Sequence, residues 1–198
     1  MIKIIALGDS IFAGWDGKEN LPHYKRIPEI IGQINDWLVD NEAIGGDSYH
    51  CSFASVAGQL DFADQQLALI NYGVNDWNFN SDLANVIDGF QQGITAIRRS
   101  NPHIKIVVVG PTLDMRRGIG TTFDTPNDTG MTQNQLSDVL IQESDRLGVT
   151  FIDMRKHPFI TATNACYTLG DGFTGVHPTA ETSLVIAEFL AKKLNGGI

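Results

Sequence analysis

A serine, a glycine pair, an asparagine and a histidine stand at separate turns of this chain, in types that suit acyl transfer. That chemistry needs a nucleophile, a base to deprotonate it, and donors for the oxyanion of a tetrahedral intermediate. Ser10 lies in the stretch ALGDSIFAG (residues 6–14), directly after a short apolar run. Its hydroxyl is the candidate nucleophile. Its backbone N–H, at the start of a helix, is a candidate oxyanion donor. Gly45-Gly46 follows a second apolar run, and a residue without a Cβ at position 46 lets a second N–H come close. Gly73-Val74-Asn75-Asp76 follows a third, and the Asn75 amide is the third candidate donor. Losing one such donor typically costs ~10²–10³ in rate.

The base must be sought among five histidines, His23, His50, His103, His157 and His177. His103 precedes a strand and so falls at the opposite end of the sheet. His23 sits in a polar loop with no evident partner. His50 is close enough to Gly46 to line the same site. His157 and His177 both follow the fifth strand and both precede proline. His177 is the better placed, because GDGFTGVHP fixes a loop just before the last helix. Activity is then expected to fall as His177 becomes protonated, since an imidazolium cannot act as base.

These residues need a scaffold that gathers strand ends. Short apolar runs at Ile2–Leu7, Val39–Ile44, Leu67–Tyr72, Ile104–Gly110 and Val149–Asp153 alternate with helical patterns, as in a parallel sheet covered on both faces. LALINY and IKIVVVG lack polar alternation, which marks strands buried on both sides. Helices are expected over Ile27–Leu38, within Ser52–Phe62, and around Val86, Phe90, Ile94 and Ile97. Thr132-Gln133-Asn134-Gln135 carries a capping-box pattern before Leu136, Val139, Leu140 and Leu147, with Gly148 as C-cap. The last helix is expected from Ala180 to Leu194, ended by Asn195-Gly196-Gly197. The expected fold is therefore one α/β domain over residues 1–198, a three-layer α/β/α sandwich with a flavodoxin-like five-stranded parallel sheet. With strand order 2-1-3-4-5, the turns carrying Ser10, Gly46 and Asn75 lie side by side at the carboxyl edge, where such sheets bind ligands. Two segments, 111–130 and 154–176, are far longer than ordinary connections and are expected to wall the site.

Four blocks in this order resemble those of the SGNH hydrolases, the GDSL-type esterase and lipase superfamily. They are Gly8-Asp9-Ser10-Ile11, Asn41-Glu42-Ala43-Ile44-Gly45-Gly46-Asp47-Ser48, Gly73-Val74-Asn75-Asp76 and His177-Pro178. The resemblance implies a serine esterase with Ser10 and His177 in catalysis, Ser10, Gly46 and Asn75 in the oxyanion hole, and a structural Asp9. It also implies an Asp three residues before the histidine, where this chain has Thr174. Asp171 stands six residues before instead. Either Asp171 loops back to the His177 ring, or another acceptor orients it and leaves a Ser–His dyad.

Composition narrows the rest. The net charge of −9, from 23 acidic and 14 basic residues without a basic run, disfavours nucleic acid and anionic membranes as partners. No apolar stretch approaches a membrane span, and MIKIIALGDS is too short for a secretory signal, so a cytoplasmic location is expected. Cys51 and Cys166 show no metal or redox spacing and are expected to be free thiols. No cofactor and no metal are expected. Walker A and GxGxxG patterns are absent and Lys/Arg are scarce near the turns, against phosphate binding. Trp77, Tyr49 and His50 each suit either a pocket wall or the core. The reading is hydrolysis of small or short-chain acyl or acetyl esters. A binding module without activity, a lysophospholipase and a thioesterase are the alternatives.

Overall fold

The structure, a computed structural model, describes residues 1–196. The Gly197 expected to help end the last helix lies outside the described residues. In chain order the elements are β1 (Lys3–Gly8), α1 (Ser10–Ala13), α2 (Ile27–Asn35), β2 (Leu38–Asn41), α3 (Ala54–Gln59), β3 (Leu67–Asn71), α4 (Val74–Asn78), α5 (Leu83–Ser100), β4 (Lys105–Val109), α6 (Gln133–Leu147), β5 (Thr150–Ile152), α7 (Ala165–Thr168) and α8 (Ala180–Asn195). A π-helical turn, Tyr49–Phe53, precedes α3. The five strands are parallel, in the order β2-β1-β3-β4-β5.

Period-2 alternation along apolar strands produces two cores, one on each face of the sheet. Ile5, Leu7, Ala68, Ile70, Ile106 and Val108 pack against α3, α5 and α6. Ile4, Ala6, Leu67, Leu69, Val107 and Val109 pack against α1, α2 and α8. On α5, Val86, Phe90, Ile94 and Ile97 are fully buried along one stripe. The cap of α6 has both reciprocal bonds of a capping box, between Thr132 and Gln135, and Gly148 closes the helix in the left-handed region at φ 62°.

Most boundaries fall within a residue of the sequence expectation, and two differ by three. The helix expected over Ile27–Leu38 stops at Asn35, because Asp36 turns left-handed at φ 56° and Leu38 opens β2. β2 in turn ends at Asn41 rather than Ile44. Beyond it the chain stays beside β1, since the Ile44 N–H donates to the Gly8 carbonyl at 2.9 Å. Gly8 also pairs in register with Asn71, at the end of β3. The turns after β1, β2 and β3 are thus held level at one edge.

The two long segments pack on each other. Leu113 and Met115 from the first meet Ile160, Ala165 and Leu169 from the second in a small third core. The Met115 N–H donates to the Gly175 carbonyl at 2.9 Å, tying the first segment to the loop before His177.

Candidate active site

Asp9 caps α1, its carboxylate accepting from the Ile11 N–H at 2.9 Å, and so sets Ser10 as the first residue of the helix. With four residues, α1 is too short to carry a large dipole; what it offers an anion is the aim of its free N–H groups. Ser10 is half-buried, and its Oγ lies 2.9 Å from His177 Nε2. On the other side of the ring, His177 Nδ1 lies 2.6 Å from Asp171 Oδ2. A carboxylate there accepts the Nδ1–H and leaves Nε2 free to accept the serine proton.

The three residues that separate Asp171 from the usual position form a single 3₁₀ turn, Gly172–Thr174. Gly172 enters the turn at φ 78°, and Thr174 points to solvent. The chain then returns so tightly that a Cβ on Gly175 would overlap the Asp171 carboxylate. Asp171 also accepts from the Val176 N–H at 3.1 Å and the His177 N–H at 3.2 Å. Burial pushes its pKa up. The hydrogen bonds from His177 and Val176 outweigh that and hold the carboxyl below its ordinary value.

Across the serine, the candidate oxyanion donors come from separate segments. Gly46 is exposed, at φ 83°, and the direction of a Cβ there meets nothing within 4 Å. The left-handed backbone at this position favours glycine. Asn75 is buried on α4, its Nδ2 donating to the Asp47 carbonyl at 2.9 Å. Arg116, from the segment after β4, donates to Asn75 Oδ1 at 3.2 Å and to the Val74 carbonyl at 3.0 Å. Its guanidinium also forks onto Asp114, with Nη2 2.6 Å from Oδ2. Four carboxyl groups are buried around this arm, those of Asp9, Asp47, Asp76 and Asp114. Burial raises the pKa of Asp9 to about 7 and that of Asp76 to about 6, the latter opposed by N–H donation from His50 and Tyr49. Burial also raises Asp47 and Asp114.

With this geometry in place, residues 6–183 match the model of the GDSL-like lipase/acylhydrolase family. The chain belongs to that family. Its members are carboxylic ester hydrolases, and the esterase reading of the four sequence blocks stands. No curated protein sequence gives a match. Among solved structures, a protein from Lactobacillus plantarum is similar at TM-score 0.82 and 19% identity, over 100% of this chain and 98% of that one. A carbohydrate acetylesterase from Sinorhizobium meliloti aligns at TM-score 0.73 and 18% identity, over 100% of both chains. An aryl esterase from M. smegmatis does so at 0.73 and 19%, again over 100% of both. At these identities the likeness is one of fold.

The remaining candidates separate cleanly. His157 packs on Phe189 of α8, His23 lies 3.2 Å from Glu29, and His50 is exposed beside α5. Trp77 is fully buried and donates to the Met131 carbonyl, and Tyr49 is buried too, so both belong to the core. Cys51 and Cys166 are free. Among the described residues there is no cluster suited to a metal and no helix long and apolar enough to cross a membrane. One expectation is corrected. Lys/Arg are scarce near the turns in sequence, yet the fold brings Arg116 onto Asn75. Only the DMRR run inside a long segment hinted at it.

Proposed function

We propose that this family member hydrolyses small or short-chain carboxylic esters, acetyl esters among them, through an acyl-Ser10 intermediate, acting as a single domain. The observation that carries this reading is the unbroken line from Ser10 Oγ through the His177 ring to Asp171. His177 takes the Ser10 proton as Oγ attacks the ester carbonyl. The N–H groups of Ser10 and Gly46 and the Asn75 amide receive the oxyanion. As the intermediate collapses, the C–O bond to the alcohol breaks and His177 gives that oxygen its proton. Water, deprotonated by His177, then attacks the acyl carbonyl, and the acid leaves as Ser10 regains its proton. Asp171 keeps the ring in the required tautomer and offsets the imidazolium charge.

The substrate size is inferred from the openness of the Gly46 side and from exposed apolar side chains in two of the loops that supply site residues. Ile44, two residues before Gly46, is 52% exposed, and Phe173, four residues before His177, is 45% exposed. They suit brief apolar contact rather than enclosure of a long chain. One structural neighbour is a carbohydrate acetylesterase, in keeping with small acyl groups.

The direct test is intact-mass analysis after a fluorophosphonate, on the wild type and Ser10→Ala. One adduct in the wild type and none in the variant supports the reading. A folded wild type that takes no adduct removes Ser10 as nucleophile. A series of p-nitrophenyl esters from acetate to decanoate then tests the size, with kcat/KM expected to fall as the chain lengthens.

A further inference from the structure

We propose that Arg116 is a positioning residue for the oxyanion donor, holding the Asn75 amide in its productive orientation and polarising it. The inference rests on the reading of Asn75 as that donor.

An amide can present either its oxygen or its NH₂ to a given direction, and the two orientations have nearly the same shape. If Asn75 were flipped, its oxygen would face the developing oxyanion and oppose it. Two contacts set the orientation. The Asp47 carbonyl can only accept, so it takes one N–H of Asn75. The Arg116 guanidinium can only donate, so it takes Oδ1. A cation on the amide oxygen also withdraws electron density from the nitrogen, making the remaining N–H a better donor.

Arg116 is itself fixed. Its NH2 group reaches the Val74 carbonyl, one residue before Asn75, and the fork onto Asp114 locks the plane of the guanidinium. Asp114 is fully buried, and its backbone N–H and carbonyl are both held by the buried Gln133 side chain. The anchor therefore runs from α6 through Asp114 and Arg116 to Asn75. Lysine cannot reproduce this fork, because one ammonium cannot meet Asp114, the Val74 carbonyl and Asn75 Oδ1 in a single plane.

The decisive experiment is a double-mutant cycle on kcat and KM, with rates normalised to active sites titrated by fluorophosphonate. Arg116→Lys keeps a cation for Asp114 and is the primary variant. Asp114→Asn/Arg116→Met removes both charges together and guards against misfolding of the first. Asn75→Ala alone is expected to lower kcat by ~10²–10³. Arg116→Lys is expected to lower kcat about 10-fold with KM little changed, as for an interaction made only in the transition state. In the Asn75→Ala background neither Arg116 change should lower kcat further. If Asn75→Ala is slow but Arg116→Lys is at wild-type rate, or its loss adds fully in the cycle, the positioning role is wrong while the oxyanion reading stands. If Asn75→Ala retains wild-type kcat, the oxyanion reading fails and this proposal falls with it.

Discussion

The two arms that meet at Ser10 are built on opposite plans. The His177 arm is local: Asp171, the Gly172–Thr174 turn and Gly175 fold back within a few residues, and one carboxylate collects the ring and two backbone N–H groups. The proposed oxyanion arm is assembled from distant segments, with Gly46 after β2, Asn75 on α4 and Arg116 41 residues beyond Asn75. The local arm tolerates a three-residue insertion, because the excess bulges to solvent. The distributed arm depends on the level strand ends set by Gly8, Ile44 and Asn71. Their charge differs as well. In the His177 arm the carboxyl is held below its ordinary pKa, and in the oxyanion arm burial drives four carboxyl pKa values up.

The largest effect should come from the point shared by both arms. Ser10→Ala is expected to lower kcat by ~10⁵–10⁶, since the nucleophile acts as a unit with its base. Steady-state assays with an activated acetyl ester would check this. A loss below 100-fold would break the picture of one shared nucleophile.

Next comes the local arm. Asp171→Asn should cost ~10⁴ by favouring the wrong tautomer of His177. Gly175→Ala sharpens the claim, because its Cβ overlaps the Asp171 carboxylate without straining the backbone, whose φ is −105°. Displacement by about 1 Å should lower kcat by ~10². In an Asp171→Ala background the same change should do little. An additive loss would show that Gly175 matters for something other than Asp171.

How much of this was legible in the chain follows the same division. The strands declare themselves as short apolar runs, α5 through its helical period, and α6 through its period and its capping residues Thr132, Gln135 and Gly148. The one-turn helices α1, α4 and α7 are too short to show a period. The overrun of α2 came from Trp37 and Leu38, which continue an apolar pattern past a left-handed Asp36 that no glycine announces. Ser10, Gly46 and Asn75 could be picked out because strand topology brings their turns together, and His177 because a glycine-rich loop ending in proline holds it just before the last helix. Asp171 stayed open between two acceptors, since sequence spacing does not say whether three residues bulge outward. Arg116 was not singled out as a site residue, because its partner lies in another segment and long-range contacts decide where it goes, namely Gln133 on Asp114 and the packing of Leu113 and Met115 against Ile160, Ala165 and Leu169.

The smallest effect concerns the charge of the distributed arm and is read in stability. Asp9 is fully buried, its Oδ2 has no hydrogen-bond partner among the described residues, and burial lifts its pKa to about 7. The folded state therefore binds this proton more tightly than the unfolded chain, in which the group titrates near the ordinary value of 3.8. Between those two values the native protein carries the proton and the unfolded chain does not, so stability falls as pH rises through the window and levels off above pH 7. Asp9→Asn keeps an oxygen for the Ile11 N–H but cannot ionise. Relative to this variant, the wild type should lose about 2–3 kcal/mol of unfolding free energy between pH 5 and pH 8. Urea unfolding of both proteins at the two pH values measures the difference. Parallel pH profiles would mean that Asp9 is ionised at little cost in the native state. The oxyanion arm would then hold its negative charge in balance with Arg116, and the contrast between the arms would be one of connectivity alone.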